Sequence, residues 1–378
     1  MNLRRVWSVA RKEFVHVLRD PRSMGMAVAI PMLLLLLFGY ALTLDVDNVP
    51  MVIWDQSQTP ASRDLVSRFL GSPYFSLRKY VDNYRDLEHA IDAGDALVGL
   101  VLPYNFDRHI AAMHPIPVQL IVDGSDANTA TITIGYAEAI TQIYSQEEVI
   151  ERDLKREGIT YFPIPLDVRS RVWFNPDLES RNYIIPGLIA VIMMIIAALL
   201  TSLTVAREWE QGTMEQLIST PVRGHELIFG KLVPYFAIGL LDVLLAVLMA
   251  EYLFRVPLRG NVALLFGMAS IFLIGALAMG LTISIVAKSQ LLASQMAMTM
   301  TFVPAYLLSG FMFSIVNMPK VVQLVTYLIP ARYFVALLKG IYLRGVGLEL
   351  MVFDATLLTV FGIVMVLVAN LTFKKKLT

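Results

Sequence analysis

Long apolar runs alternate with polar stretches along this chain. Runs of about twenty mostly apolar residues occur at 23–44, 183–206, 232–253, 262–286, 291–315 and 350–373. A helix of that length crosses a hydrocarbon core of about 30 Å. The pattern therefore predicts an α-helical polytopic membrane protein with six transmembrane helices.

The first 22 residues form a separate pattern ahead of the first run. Apolar side chains recur there with the helical period, at Leu3, Val6, Trp7, Ala10, Phe14, Val17 and Leu18, and basic residues occupy the other face. Residues 1–22 are therefore predicted to form a cytoplasmic amphipathic helix in the membrane interface, ended by a turn at 19–22. A simple membrane anchor and a partner-docking element remain equal alternatives for this helix.

The segment 45–182 has the composition of a globular domain. Strand-like runs at 51–54, 97–102 and 118–122 alternate with helical patterns at 60–70, 82–94 and 105–113, and a longer helix is predicted from about 128 to 157. This alternation predicts an inserted α/β domain. Residues 316–348 are broken by Pro319 and Pro330 and are too polar to span, which favours re-entrant or interfacial helices.

Charge placement predicts the orientation, because Lys and Arg accumulate in short cytoplasmic loops. The N-terminal segment, the loop 207–231 and the tail 374–378 are basic, so both termini are predicted inside. The domain at 45–182 and the segment 316–348 are then outside. Balanced totals, 31 Lys and Arg against 31 Asp and Glu, give no argument for a nucleic-acid partner.

The residues offer little for catalysis. The chain has no cysteine. Gly224 to Leu232 comes near a phosphate-binding loop, but its glycine spacing is wrong, Leu232 replaces the required hydroxyl, and an apolar run follows. The sequence predicts no metal site, no cofactor and no enzymatic activity in this chain.

One carboxylate lies in the middle of a predicted span. Asp242 in the third run costs roughly 2.5–3.5 kcal/mol on insertion scales, which the apolar residues around it offset. It either faces a transport pathway or binds neighbouring helices through hydrogen bonds. The many methionines, 19 in all, allow an adaptable apolar pathway as well as ordinary packing.

A polar stretch, Ala206 to Lys231, separates two of the apolar runs. Its first part has helical propensity and carries Glu208, Glu210 and Glu215, which are predicted to form a charged surface. Gly212-Thr213 predicts a break or cap within it. A cytoplasmic elbow joined directly to two spans would transmit force, whereas a solvated loop is the plainer alternative.

The residues of this elbow resemble a known family. Arg207-Glu208-x-Glu210-x-Gly212-Thr213-x-Glu215, Thr220-Pro221 and Gly230-Lys231-Leu232-x-Pro234-Tyr235 resemble the coupling-helix region of ABC-2 type transport permeases, in the subfamily of bacterial multidrug exporters. The N-terminal Arg11-Lys12-Glu13-Phe14, the outer Asp123-Gly124-Ser125-Asp126 and Trp173-Phe174-Asn175-Pro176, and the later Leu308-Ser309-Gly310-Phe311 and Tyr327 to Phe334 resemble the family in the same order.

This resemblance implies a permease subunit in the bacterial inner membrane. It implies a dimer with a second permease copy or a homologous permease, and separate ATPase subunits that carry ATP and Mg²⁺. Glu208, Glu210, Gly212, Thr213 and Glu215 would then contact the ATPase, beside an interface helix bearing Arg11, Lys12, Glu13 and Phe14. Phe311 and Met312 would belong to an outer gate.

The outer domain would face a periplasmic adaptor and an outer-membrane channel, as in drug exporters. The exported molecule is expected to be hydrophobic or amphiphilic. The alternative from another class is a membrane receptor or scaffold that senses a ligand through its outer domain. The elbow favours the exporter, because a receptor needs no glutamate-rich helix fixed to two spans.

Overall fold

The computed structural model describes residues 2–19, 25–42, 46–112, 114–157, 174–175 and 179–373. The chain divides into two compact units, one of Leu44–Ser170 and one of Met1–Thr43 with Arg171–Thr378. Most of the predicted turn at 19–22, Trp173, Pro176 and the basic tail 374–378 lie outside the described residues.

The elements up to residue 157 are α1 (Leu3–Arg19), a π-helical turn (Gly25–Ala29) leading into α2 (Ile30–Ala41), β1 (Val49–Asp55), α3 (Pro60–Gly71), β2 (Phe75–Tyr80), α4 (Tyr84–Asp92), β3 (Val98–Leu102), α5 (Phe106–Ala111), β4 (Gln119–Val122) and α6 (Ala127–Glu157). The later elements are α7 (Ser180–Glu210), α8 (Thr213–Ser219), α9 (Gly224–Leu248) with a π-helical turn (Met249–Leu253), α10 (Val262–Ala287), α11 (Gln290–Leu308), α12 (Lys320–Thr326), α13 (Pro330–Lys339) with a π-helical turn (Gly340–Arg344), and α14 (Val352–Thr372). Short 3₁₀ turns lie at Ile315–Asn317 and Leu348–Leu350.

Five helices in the described residues are long and apolar enough to cross a membrane: α7, α9 with its π-helical turn, α10, α11 and α14. The bent pair α12 and α13, with 86° between its halves, is a sixth candidate if it counts as one span. The first predicted span, 23–44, is represented there by a shorter apolar helix, Ala27–Ala41. The chain is thus a helical, polytopic membrane protein with five to six candidate spans.

The fifth predicted span ends earlier than the apolar run does. α11 ends at Leu308, although the run continues to residue 315. Gly310 has a φ of +78°, which a helix cannot contain, and the chain turns there. The prediction of 291–315 as one span was wrong at its outer end because hydropathy does not register such a turn. Prolines start α13 and precede α12, as the broken pattern of 316–348 indicated.

α7 is the central helix of its unit, since 83% of its most apolar window is buried, against 22% for α11 and α14. It packs closely on α10, where a Cβ added to Gly280 would lie 2.2 Å from the carbonyl oxygen of Ala198. The Thr201 hydroxyl donates across the interface to the Leu277 carbonyl at 2.9 Å. Small residues and hydroxyl hydrogen bonds of this kind hold membrane helices together where lipid is as apolar as the side chains.

The Leu44–Ser170 unit contains a four-stranded sheet in the order β2-β1-β3-β4 among the described residues. β1 pairs in parallel with β2 and β3, whereas β4 is antiparallel to β3. α3 supplies Leu65 and Phe69 to the core on one face of the sheet, and α4 supplies Leu87 and Ala90 to the other. The strands β1, β3 and β4 match apolar runs in the sequence, but β2 carries Arg and Lys and was not predicted.

Candidate functional site

The polar stretch between the two apolar runs folds as parts of three helices. Its first residues, 207–210, are the last turn of α7, which continues without a break from the apolar run. α8 is a separate short helix, and residues 224–231 are the first turns of α9. The predicted elbow at 207–231 is therefore no single helix, and both neighbouring long helices reach into it.

Gly212 makes the bend between α7 and α8. Its φ is +68°, in the left-handed region that glycine adopts without strain, and a Cβ added there would meet no atom of the described residues within 4 Å. The Thr213 hydroxyl lies 3.4 Å from the Glu208 carbonyl oxygen across this bend. The direction of α8 relative to α7 thus depends on the backbone conformation of one residue.

Four charged side chains meet where α1, α7 and α9 come together. The ammonium group of Lys231 lies 2.9 Å from Oε1 of Glu13 and 2.9 Å from Oε1 of Glu208. The ammonium group of Lys12 lies 2.9 Å from Oε1 of Glu208 and 3.3 Å from Oε1 of Glu13. We call Lys12, Glu13, Glu208 and Lys231 the charge cluster; it balances two positive charges against two negative ones.

The charge cluster is largely buried. The side chains of Lys231, Glu13 and Glu208 are 2%, 6% and 8% exposed, whereas that of Lys12 is 54% exposed. Burying unpaired charges is costly, so a buried cluster persists only when its members compensate one another. Each of the three helices contributes at least one member, which fixes their mutual position.

The position of Glu208 corrects the sequence interpretation. Glu208, Glu210 and Glu215 were predicted to form a charged surface, but Glu208 is only 6% exposed because Lys231 and Lys12 draw it inward. Glu210 is exposed, and its carboxylate accepts hydrogen bonds from Gln290 at the start of α11. Glu215 on α8 is exposed as well.

Helix α1 is held to α9 at two places. Gly230 allows the approach, because a Cβ there would lie 2.6 Å from the Cβ of Val9. Nearer the N-terminus, the backbone N–H of Asn2 donates to the buried Glu226 carboxylate at 2.7 Å, and the Arg5 guanidinium donates to the Pro221 carbonyl at 2.7 Å. The segment that resembled a phosphate loop is therefore a helix start against which α1 packs.

The structure separates the four predicted interface residues. Lys12 and Glu13 belong to the charge cluster, whereas Arg11 and Phe14 are exposed on the opposite side of α1. The sequence prediction did not identify Lys231 as a site residue. A lysine at the very start of an apolar run, preceded by glutamates in two polar segments, is a signal that could have found it.

A cleft of about 410 Å³ opens beside the charge cluster, lined by residues of α1, α7, α8 and α9. Its walls include Glu208, Gln211, Thr213 and Gln216. Oε2 of Glu208 has no hydrogen-bond partner within the part of the chain that the structure describes. The cleft is large enough to receive side chains of another protein.

Electrostatics strengthen the link between α1 and the other helices. Burial works to raise the pKa of the Glu13 carboxyl, but the ammonium groups of Lys231 and Lys12 outweigh it and hold that pKa below its ordinary value of 4.5. Burial works to lower the pKa of Lys12, but the hydrogen bonds and charges of Glu208 and Glu13 together outweigh it and raise that pKa.

The lowered pKa of Glu13 predicts a pH dependence of stability. Glu13 contributes stability above its ordinary pKa of 4.5 and loses that contribution as the pH falls through the lowered value. We expect the difference in melting temperature between wild type and Glu13→Gln to be largest near neutral pH and to shrink below about pH 4.5. Thermal unfolding of the purified protein at several pH values measures it, and a constant difference would contradict it.

The other predicted site residues lie elsewhere in the helical unit. Asp242 on α9 is 1% exposed, and its Oδ1 has no hydrogen-bond partner among the described residues. Phe311 lies beyond the end of α11 and is 2% exposed, with its ring against Gly187 of α7. Met312 beside it is 40% exposed. Among the residues described, no group of three or more His, Cys, Asp or Glu could hold a metal ion.

Comparison with known proteins identifies the family of the chain. The sequence profile of the ABC-2 family transporter proteins matches residues 22–371. The chain belongs to this family. Its match includes every long apolar helix described above.

Similar proteins span nearly the same length. The probable multidrug ABC transporter permease YbhS of Escherichia coli (strain K12) is 41% identical over 346 residues, which cover 91% of this chain and 90% of that protein. The probable multidrug ABC transporter permease YbhR of the same organism is 31% identical over 349 residues, 92% of each. The ABC transporter permease protein NatB of Bacillus subtilis (strain 168) is 24% identical over 384 residues, covering 96% of this chain and 94% of NatB.

Membership of the ABC-2 family establishes what kind of protein this chain is. The chain is a multi-pass inner-membrane permease, and its family implies association with an ABC ATPase subunit. The charge cluster and the elbow lie at one end of its long helices, where such a subunit could act on several of them together.

Proposed function

We propose that this chain is the permease subunit of an ATP-driven exporter that moves a hydrophobic or amphiphilic molecule, drug-like or lipid-like, out across the inner membrane. The observation that carries the proposal is the charge cluster, which ties the elbow between two long helices to a third helix. The permease names of YbhS and YbhR agree with it.

Partners and orientation are part of the proposal. The active complex contains two permeases, as a homodimer or with a homologous permease, and ATPase subunits that hold ATP and Mg²⁺. Both termini face the cytoplasm, and the Leu44–Ser170 unit faces the periplasm, where an adaptor and an outer-membrane channel can dock. This chain contributes no catalytic residue, metal or cofactor, and it binds lipid but no nucleic acid.

The elbow residues would receive the motion of the ATPase. Glu210 and Glu215 are exposed and can contact the ATPase directly, whereas Glu208 acts from inside, through Lys231 and Lys12. When ATP binding moves α8, the bend at Gly212 and the charge cluster would move α7, α9 and α1 together. That coordinated movement would switch the pathway from inward to outward access, with Phe311 and Met312 at its outer end.

Transport itself tests the proposal. Inverted membrane vesicles that contain this chain and its ATPase should accumulate a lipophilic cationic dye when ATP is added, and should not do so with a non-hydrolysable ATP analogue. The variant Glu208→Ala, in complexes that still assemble, should lose most of the substrate-stimulated ATPase activity. Dye accumulation without ATP, or unchanged substrate stimulation of the ATPase in the variant, would contradict the proposed coupling.

A second prediction concerns Asp242. Because its Oδ1 has no partner in the described part of the structure, Asp242→Asn removes a buried ionisable carboxyl group without breaking a described hydrogen bond. We expect an unchanged or higher melting temperature. If Asp242 faces the pathway, ATP-driven dye transport falls in the same variant. A lower melting temperature with normal transport would instead make Asp242 a link between helices.

A further inference from the structure

The broad apolar face that the sequence pattern predicts for helix α1 divides into a buried part and an exposed part. Val6, Val9, Ala10 and Val17 are buried, on the side that packs on α9. The adjoining part of this face carries apolar side chains that are exposed by 44–73%, namely Leu3, Trp7, Phe14 and Leu18. We call these four residues the exposed stripe.

The spacing of the exposed stripe makes it continuous. At about 100° per residue, its four members fall within about 60° of one another around the helix, directly beside the sector that holds the buried valines. A stripe of this size would be unfavourable in water, because exposing the side chains of leucine, phenylalanine and tryptophan to water costs free energy in proportion to their apolar area. Its surroundings must therefore be apolar.

The basic residues of α1 also fall into two groups, those with partners in the protein and those that are exposed. Arg5 and Lys12 are partly exposed but have partners in the protein, since Arg5 donates to the Pro221 carbonyl and Lys12 belongs to the charge cluster. Arg4 and Arg11 are exposed, and their guanidinium groups make no hydrogen bond or ion pair within the described residues. Both lie beside the exposed stripe on the helix surface, within about 80° of Trp7.

An apolar stripe bordered by free arginines fits the surface of a membrane that contains acidic lipids. The apolar side chains enter the boundary between headgroups and acyl chains, while the arginines remain at headgroup level. α1 lies close to this boundary, because few residues separate it from the apolar helix that begins near Gly25.

We propose that the exposed stripe, with Arg4 and Arg11, binds acidic phospholipid headgroups of the leaflet that α1 faces. Because the charge cluster joins α1 to α7 and α9, a lipid contact that fixes the position of α1 also fixes the position of the elbow residues at the end of α7. This step rests on the proposed coupling function, but lipid binding does not depend on transport. Each arginine near an acidic surface should favour acidic over neutral lipid by about fivefold.

Quenching of Trp7 by brominated lipids tests the proposal on the complete permease. The protein is reconstituted in bilayers that mix brominated phosphatidylglycerol with phosphatidylcholine, or the reverse. The difference in quenching between wild type and Trp7→Phe isolates Trp7 from the other tryptophans. We expect Trp7 to be quenched, with a preference for phosphatidylglycerol of about 5- to 25-fold, the effect of one to two arginines, that falls toward 1 in the double variant Arg4→Gln/Arg11→Gln.

The controls keep the outcomes distinct. Arg108→Gln removes an exposed arginine of the Leu44–Ser170 unit and should leave the preference at Trp7 unchanged. The double variant should keep the wild-type melting temperature, because neither guanidinium has a described partner. A Trp7 that neither brominated lipid quenches, or that both quench equally in wild type, overturns the proposal. Normal ATP-driven transport in that case would leave the proposed function standing.

Discussion

Replacing Lys231 with methionine is expected to lower the free energy of unfolding by about 3–5 kcal/mol, the cost of leaving a buried charge without its partner. Lys231 is 1% exposed and is the only residue of α9 in the charge cluster. Without it, the carboxylates of Glu13 and Glu208 face each other with only the half-exposed Lys12 between them. Denaturant titration of the purified protein in micelles measures the loss.

A compensating change separates the charge effect from packing. The double variant Lys231→Met/Glu13→Gln retains Lys12 and Glu208 as a balanced pair, so it should recover a substantial part of the lost stability. Lys231→Arg keeps the charge and should cost less than Lys231→Met. Lys320→Met, at an exposed lysine, should change stability by less than about 0.5 kcal/mol. Equal losses in the single and double variants would show that the charges are not coupled.

Much of the helical unit could be predicted because hydropathy reports burial in lipid directly. The runs at 183–206, 262–286 and 350–373 correspond closely to α7, α10 and α14. Hydropathy did not predict where two of the helices end. Gly310 ends α11 inside an apolar run, and α7 continues through polar residues as far as Glu210.

The site was predicted less completely because its chemistry depends on contacts between distant residues. The sequence pattern predicted that Glu208 is a functional residue and that the N-terminal helix lies beside it. It could not show that Glu208 points inward, since that depends on Lys231, 23 positions further along in another helix. Strand β2 was missed for a related reason: it lies at the edge of its sheet, where charged side chains are tolerated.

The bend between α7 and α8 predicts a functional loss without a packing defect. Gly212 has a φ of +68° and no atom within 4 Å of an added Cβ, so a side chain there meets no steric obstacle, only backbone strain. A β-branched residue is strongly disfavoured in this conformation, at about 1–2 kcal/mol or more, whereas asparagine tolerates it. Gly212→Val and Gly212→Asn are therefore a matched pair that differ in strain while both fill open space.

We expect Gly212→Val to reduce substrate-stimulated ATPase activity of the reconstituted complex by about tenfold, because 1–2 kcal/mol shifts a conformational equilibrium by about 5- to 30-fold. Gly212→Asn should keep most of the stimulation. Basal ATPase activity and copurification of the subunits should stay normal in both variants, since no atom of the described residues lies within 4 Å of a Cβ added at Gly212. If valine and asparagine reduce stimulation equally, the added side chain blocks the ATPase itself, and α8 is a contact surface rather than a hinged lever. If neither has an effect, the motion of the ATPase enters this protein without passing through the bend, and the charge cluster must receive it directly from α1.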